Sequence, residues 1–465
     1  MIRKSLLLFS VNAAGRLFQY LYRVAMSYFL SLKEFGMLSA SLPYQSFVLL
    51  LTSMSVTPTA SKFTSQYKVE EEEKIFNVFS LVVMGLIIGA ILYASTGVIT
   101  QFFGADFAGS QDVLKILALA VPCAVFLSVC TGIFLGFEKA YLMAASLMVY
   151  QCVMLGSSYL LVQYRGLTGA AMGIFVGYLA SAVMAVILVF RFRLSIQASI
   201  REMGRIVRFS LPVLVGVVGI WALLNIDIMI LARFAPAEDV GVYGMAYPTA
   251  RLLFGFSTAL SALLVPRISE LTYTGKDAVH SIRSSFEVCA VVTLPMAVTL
   301  AAFSKEILYV LFGNVDGSTA LKILSLAMFV YSLFFIGYSA LQGLGRPEHS
   351  MGSALVSAAC GIGFCFILIP RFGMEGAALS TTAACFIGLA LVLGFLKIRM
   401  VPRVFHGALF ATLFIFEYFV GIPGGRVVTM TIYGAVGLPV IIMYFWLSRP
   451  YLRIRETEGS MDPPE

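Results

Sequence analysis

Arg16, Arg23, Asp227 and Arg251 lie within stretches otherwise apolar enough to cross a lipid bilayer. A charge at the centre of a membrane helix costs about 2.5–3.5 kcal/mol on insertion scales. Three guanidiniums and one carboxylate therefore need a polar cavity, partners, or both. One acid cannot neutralise three arginines, so a positive field survives any pairing and points to an anionic guest. Guanidinium groups bind phosphate oxygens in bidentate fashion.

Spacing gives these residues common surfaces. Asn12, Arg16, Gln19 and Arg23 recur at i, i+4, i+7 and i+11, one face of a helix, with Tyr20 at its edge. Tyr243, Tyr247 and Arg251 make a second stripe, polar and aromatic, whose rings suit packing against sugars. Asn225 and Asp227, near Trp221, supply a third. The candidate substrate-binding residues are thus Arg16, Arg23, Arg251, Asn12, Gln19 and Tyr247. Asp227 and Asn225 read either as an ion-coupling site or as part of a buried salt bridge locking two lobes. Arg23 and Arg251 could also snorkel to an interface. Arg16, about 10 Å deeper than Arg23 at 1.5 Å rise per residue, has the longest way to reach either surface.

The elements that must position these groups follow from composition. The chain has 465 residues, 60% hydrophobic and 12% charged, with mean hydropathy +0.93. That is the composition of an all-α polytopic membrane protein. At about 20 apolar residues per span, the sequence predicts about fourteen transmembrane helices. They start near Leu6, Leu38, Phe76, Val113, Tyr141, Leu167, Phe209, Val242, Phe286, Leu321, Met351, Gly376, Val404 and Val427. With a cytoplasmic N-terminus, most of the 32 lysines and arginines fall on the inner side, among them Lys62, Arg201, Arg205, Arg267, Arg346 and Arg399. Few, such as Lys33, Arg165, Arg233 and Lys305, fall outside. This bias predicts a multi-pass protein of the cell membrane with both termini cytoplasmic. It also accounts for the net charge of +8 without a nucleic-acid partner. Met1 to Lys4 and the long apolar run that follows read as an uncleaved first span, because the run contains Arg16 and Arg23. The seven cysteines all fall in spans without CxxC spacing, so neither disulfides nor a metal site is expected.

An internal duplication sets the architecture. Leu114-Lys115-Ile116-Leu117 recurs as Leu321-Lys322-Ile323-Leu324, Gly136 matches Gly343, and the Gly166 and Gly169 motif recurs at Gly373 and Gly376. With a one-residue slip, Val56-Thr57-Pro58 answers Leu264-Val265-Pro266. Two six-span copies entering the membrane in the same sense predict parallel repeats about an axis along the membrane normal, facing each other across a central cleft. Residues 1–195 form the N-lobe. Residues 196–400 form an amphipathic linker and the C-lobe, and 401–465 the last two spans and a cytoplasmic tail. Arg191 to Phe209 reads as an amphipathic helix on the inner leaflet.

The chain resembles the multidrug/oligosaccharidyl-lipid/polysaccharide exporter superfamily, and within it the Wzx-type flippases and polysaccharide export proteins. The residues that carry the resemblance are Asn12-Ala13-Ala14-Gly15-Arg16, the Glu34-Phe35-Gly36 turn with its counterpart Asp239-Val240-Gly241, and the Gly-x-x-Gly-Ala-Ala repeats. It implies a MATE-like fold and inner-to-outer translocation of a polyprenyl-pyrophosphate-linked oligosaccharide by alternating access. It places Arg16 and Arg23 in the cleft and implies a Na⁺ or H⁺ gradient as driving force, for which Asp227 is the one deep central acid. No cofactor is expected. The expected partners are the lipid-linked oligosaccharide, membrane lipids and glycan-assembly proteins, with the chain acting as a monomer. The alternatives are a lipid-linked peptidoglycan-precursor flippase, a cation-coupled multidrug exporter of the same superfamily, and a membrane glycosyltransferase or polymerase. The expectation is a transporter rather than an enzyme.

Overall fold

The computed structural model describes residues 2–70, 78–189 and 200–397. Every described element is helical: α1 (Ile2–Phe29), α2 (Leu32–Glu70), α3 (Val78–Phe103), α4 (Ser110–Gly136), α5 (Ala140–Val189), α6 (Ile200–Phe234), α7 (Ala237–Ala250), α8 (Phe254–Tyr273), α9 (Val279–Ala302), α10 (Ser304–Phe312), α11 (Ser318–Gly343) and α12 (Pro347–Leu396). Helices close every backbone hydrogen bond within one segment, as a chain without water around it requires. Hydroxyl side chains follow the same rule. Ser325 Oγ donates to Leu321 O at 2.6 Å and Thr293 Oγ1 to Cys289 O at 2.7 Å.

Six of the described segments are long and apolar enough to span a membrane by length and composition: α4, α5, the α7–α8 run, α9, α11 and α12. The helices fall in order where the first twelve predicted spans begin, with α5 and α12 each supplying two. The spans expected from Val404 and Val427, the polar tail and most of the Lys68–Lys74 stretch lie outside the described residues. So does the start of the expected surface helix. Its remainder, from Ile200, is not a separate helix but the first turns of α6, which runs unbroken to Phe234.

The duplication is visible in geometry. α5 and α12 each double back at one glycine, Gly166 (φ 51, ψ −129) and Gly373 (φ 56, ψ −131). Only a residue without Cβ adopts that backbone readily. Beside each bend the same edge-on aromatic pair forms, Phe29 with Tyr159 at 5.3 Å and Phe234 with Phe366 at 5.9 Å. The two copies touch where α2 crosses α7. A β-carbon on Gly36 would fall 1.8 Å from Ala237 O, and one on Gly241 would fall 2.4 Å from Leu32 O. Each glycine thus accepts the backbone of the other repeat, as a twofold axis demands.

Further along, the register differs from the sequence match. A β-carbon on Gly136 would meet Thr64 Cβ at 2.5 Å and Ser61 O at 2.8 Å; one on Gly343 would meet Ile268 Cβ at 2.8 Å and Val265 O at 3.1 Å. Ser61 therefore answers Val265, and Pro58 does not answer Pro266. From the Gly36/Gly241 crossing, the second copy reaches this level with one residue fewer. The cause is local: after Pro248 the helix tightens into a 3₁₀ turn over Arg251–Leu253. A 3₁₀ turn rises about 2.0 Å per residue against about 1.5 Å in an α-helix, so three residues cover the height of four.

Candidate functional site

α1 carries an apolar face, on which Leu17, Leu21 and Tyr28 are exposed, and a polar face that meets the second repeat. On the polar face Arg16, Gln19, Tyr20 and Arg23 follow one another, as their spacing predicts. Asn12 belongs to α1, but its side chain lies outside the described residues. Tyr20 OH and Thr249 Oγ1 are 2.9 Å apart. Because the Thr249 hydroxyl donates to Met245 O at 2.8 Å, its oxygen is left to accept from Tyr20. Arg16 Nη1 donates to Thr258 Oγ1 at 2.9 Å, and its guanidinium lies over the Phe254 ring, 5.7 Å from the centroid. α1 is thus tied to α7 and α8 across the repeat boundary. Gln19 is exposed on the same helix.

Arg23 and Arg251 share a level nearer the α1–α2 turn. The 3₁₀ turn brings Arg251 back over its own repeat. Its guanidinium sits 4.2 Å from the centroid of the Tyr247 ring, Nη2 donates to Leu224 O, and Nη1 donates to Asn225 Oδ1 at 3.4 Å. Tyr247 OH donates to Leu224 O and reaches Asn225 Oδ1 at 3.0 Å. Asn225 Nδ2 donates to Trp221 O at 2.8 Å. Arg23 lies near Arg251 and Tyr247. Arg23 Nη1 and Arg251 Nε are buried and have no hydrogen-bond partner among the described residues. Two guanidiniums with unengaged buried donors thus stand side by side at the repeat boundary.

Asp227 is not their counter-ion. The carboxylate is buried at 1% exposure and held by neutral donors: Tyr243 OH on Oδ2 at 2.6 Å, Thr381 Oγ1 on Oδ2 at 2.9 Å and the Ile228 N–H on Oδ1 at 2.8 Å. The expected salt bridge between lobes is absent among the described residues, because α6 turns Asp227 into its own repeat toward α12. Asn225, predicted beside it, serves the arginine group instead.

At the α1–α2 turn an ion pair of the first repeat also hydrogen-bonds to the second. Lys33 pairs with Asp106 Oδ1, and Asp106 Oδ2 accepts the Ala237 N–H at 2.9 Å. The Lys33 ammonium, followed by the Ala237 amide, holds the Asp106 carboxyl below the usual carboxylate range. In the sequence Asp106 belongs to no motif, repeat or periodic face. Thr258, Phe254 and Thr381 carried no signal either, since ordinary apolar and hydroxyl residues acquire roles only through their neighbours.

The described helices make two repeats that meet at an interface carrying Arg16, Arg23 and Arg251. Residues 1–272 match the family described as Polysaccharide biosynthesis protein, and residues 212–367 match MatE. The chain belongs to the polysaccharide biosynthesis protein family. It is 23% identical to the uncharacterized membrane protein MJ1375 of Methanocaldococcus jannaschii, over 82% of this chain and 94% of that one. It is 27% identical to the "probable low-salt glycan biosynthesis flippase Agl15" of Haloferax volcanii over 33% of this chain and 34% of that one. Its fold is similar to that of the lipid II flippase MurJ in an inward closed conformation, with TM-score 0.81 at 15% identity, covering 96% of this chain and 100% of that one.

Proposed function

We propose that this chain is a flippase that carries a polyprenyl-pyrophosphate-linked oligosaccharide from the inner to the outer leaflet by alternating access of its two repeats. The observation that carries this reading is the pair of buried donors on Arg23 and Arg251 at the repeat interface that no described residue engages. Buried donors without partners are costly, and charged ones more so. A pyrophosphate would accept from both and balance their charge. Arg16, lower on α1, supplies a second cationic level along the path. Tyr247 stiffens Arg251 by stacking, while the lipid tail stays in the bilayer. Asp227, held by neutral donors and not ion-paired with the arginines among the described residues, is left for ion coupling rather than anion binding. On the expected topology, the α2–α7 crossing closes the outer end.

The test is complementation of a flippase-deficient strain, with flipping of defined lipid-linked sugars in proteoliposomes. Arg23→Ala and Arg251→Ala should each cut transport at least tenfold at unchanged membrane yield, the loss of about one charged hydrogen bond. Wild-type transport in both variants sinks the reading. A lipid-linked peptidoglycan precursor shares the pyrophosphate, and competition between the two lipids separates them. A multidrug exporter for cations is disfavoured by the arginines and by the engagement of Asp227.

A further inference from the structure

The pseudo-twofold axis gives the repeat interface two sides. On one side α2 of the first repeat lies along α6 of the second. There Trp221 Nε1 donates to Ser46 Oγ at 2.9 Å, and the indole packs against the Phe47 ring at 4.8 Å. On the other side α1 meets α7 over only a few described residues. The α1–α2 turn (Phe29 to Leu32) and the α6–α7 turn (Phe234 to Ala237) are equivalent. Counting back from them, Arg16 occupies on α1 the place that Trp221 occupies on α6.

The two residues make the same kind of contact. Trp221 reaches a hydroxyl and a phenyl ring of the opposite repeat, and so does Arg16, through Thr258 and Phe254. An indole at this place is an apolar seal with one donor. A guanidinium has five N–H donors, of which Thr258 takes one. The Thr258 hydroxyl proton is engaged by Gly255 O at 2.8 Å, so Oγ1 faces Arg16 as an acceptor. Phe254 lies under the guanidinium and is itself fixed edge-on by Tyr331 at 4.9 Å and Phe335 at 5.0 Å. The arginine is therefore oriented from the repeat to which it does not belong.

We propose that Thr258 and Phe254 are positioning residues that hold Arg16 as a phosphate ligand, so that this level of the anion path is complete only while α1 and α8 are together. The proposal rests on the flippase reading above. Parting of α1 from α8 removes both the acceptor and the ring, and Arg16 regains its rotamer freedom. The anion then loses one preorganised bidentate partner. A carrier needs such a difference in affinity between its states, because a ligand shifts only the equilibrium of states it binds unequally.

The full chain in phosphatidylcholine nanodiscs, titrated with polyprenyl pyrophosphate, tests this. Thr258→Val should weaken binding about tenfold, the loss of one hydrogen bond to a charged group. Thr258→Ser should stay within about twofold of wild type, because it keeps the same acceptor. Phe254→Leu should weaken binding and Phe254→Tyr should not. In an Arg16→Ala background the Thr258→Val effect should vanish, which a merely structural role for Thr258 would not produce. Wild-type affinity in Thr258→Val, with affinity lost in Arg16→Ala, overturns the positioning role and leaves the anion site standing. Undiminished affinity in Arg16→Ala, Arg23→Ala and Arg251→Ala overturns the flippase reading itself. Inorganic pyrophosphate is the second probe. The same rank order of variants with it assigns the contact to the phosphates, and loss of that order with the lipid order kept overturns the proposal.

Discussion

Asp227 shows what burial does to a carboxylate whose hydrogen-bond donors among the described residues are all neutral. Three donors from α6, α7 and α12 converge on it, so it ties three helices of one repeat together. A hydrogen bond to a charged group contributes about 1.5–3 kcal/mol, and deleting one donor leaves the charge buried. Tyr243→Phe should therefore lower the thermal unfolding midpoint of the purified protein, by an amount corresponding to about 1.5–3 kcal/mol. Anion affinity should hardly change, since Tyr243 touches no arginine. Arg251→Ala predicts the reverse pattern, with a larger loss in binding than in melting. Measuring both quantities on both variants separates the structural carboxylate from the cationic site.

At the scale of elements, two breaks in regular helix matter most. The 3₁₀ turn after Pro248 places Arg251 beside Asn225 and shortens the second repeat by one residue relative to the first. The bends at Gly166 and Gly373 let α5 and α12 each cross twice without a loop that would need water. Backbone in that region of positive φ costs a non-glycine residue about 1–3 kcal/mol. Gly166→Ala and Gly373→Ala should each lose that much stability in a melting experiment. Gly363→Ala is the control: it lies in the same helix as Gly373, and a β-carbon there would meet nothing within 4 Å. It should be neutral or slightly stabilising, as Gly→Ala in a helix usually is.

For the whole molecule, the α1–α2 end is held shut by backbone contact at Gly36 and Gly241 and by Asp106 bridging Lys33 to the start of α7. Asp106→Asn should shift distances between spin labels at Tyr28 and Tyr309 toward longer values, because the ion pair and its charge on the Ala237 amide are both lost. Acid should do the same to the native chain. A carboxyl held below its ordinary range contributes closure above that range and loses it as pH falls through the lowered value. The distances should therefore stay constant through neutral pH and lengthen only in acid; lengthening between pH 6 and 8 would rule Asp106 out as the latch.

Composition and periodicity by themselves determined the membrane class, the helical segments, the duplication and the polar face of α1. Each depends on residues close in sequence: about 20 apolar residues make a span, and a repeat at 3.6 residues makes a face. The sequence also put Arg16 and Arg23 at different depths, since distance along one helix is fixed by rise per residue. Which charges meet was decided only by tertiary structure. Asp227 and Arg251 stand on neighbouring helices, yet a turn of α6 and a 3₁₀ tightening send one carboxylate inward to Tyr243 and Thr381 and leave the arginine with carbonyls. Thr258 and Phe254 are ordinary helix residues until α8 is laid against α1. Contacts between helices depend on rotation and register, and a linear string constrains neither.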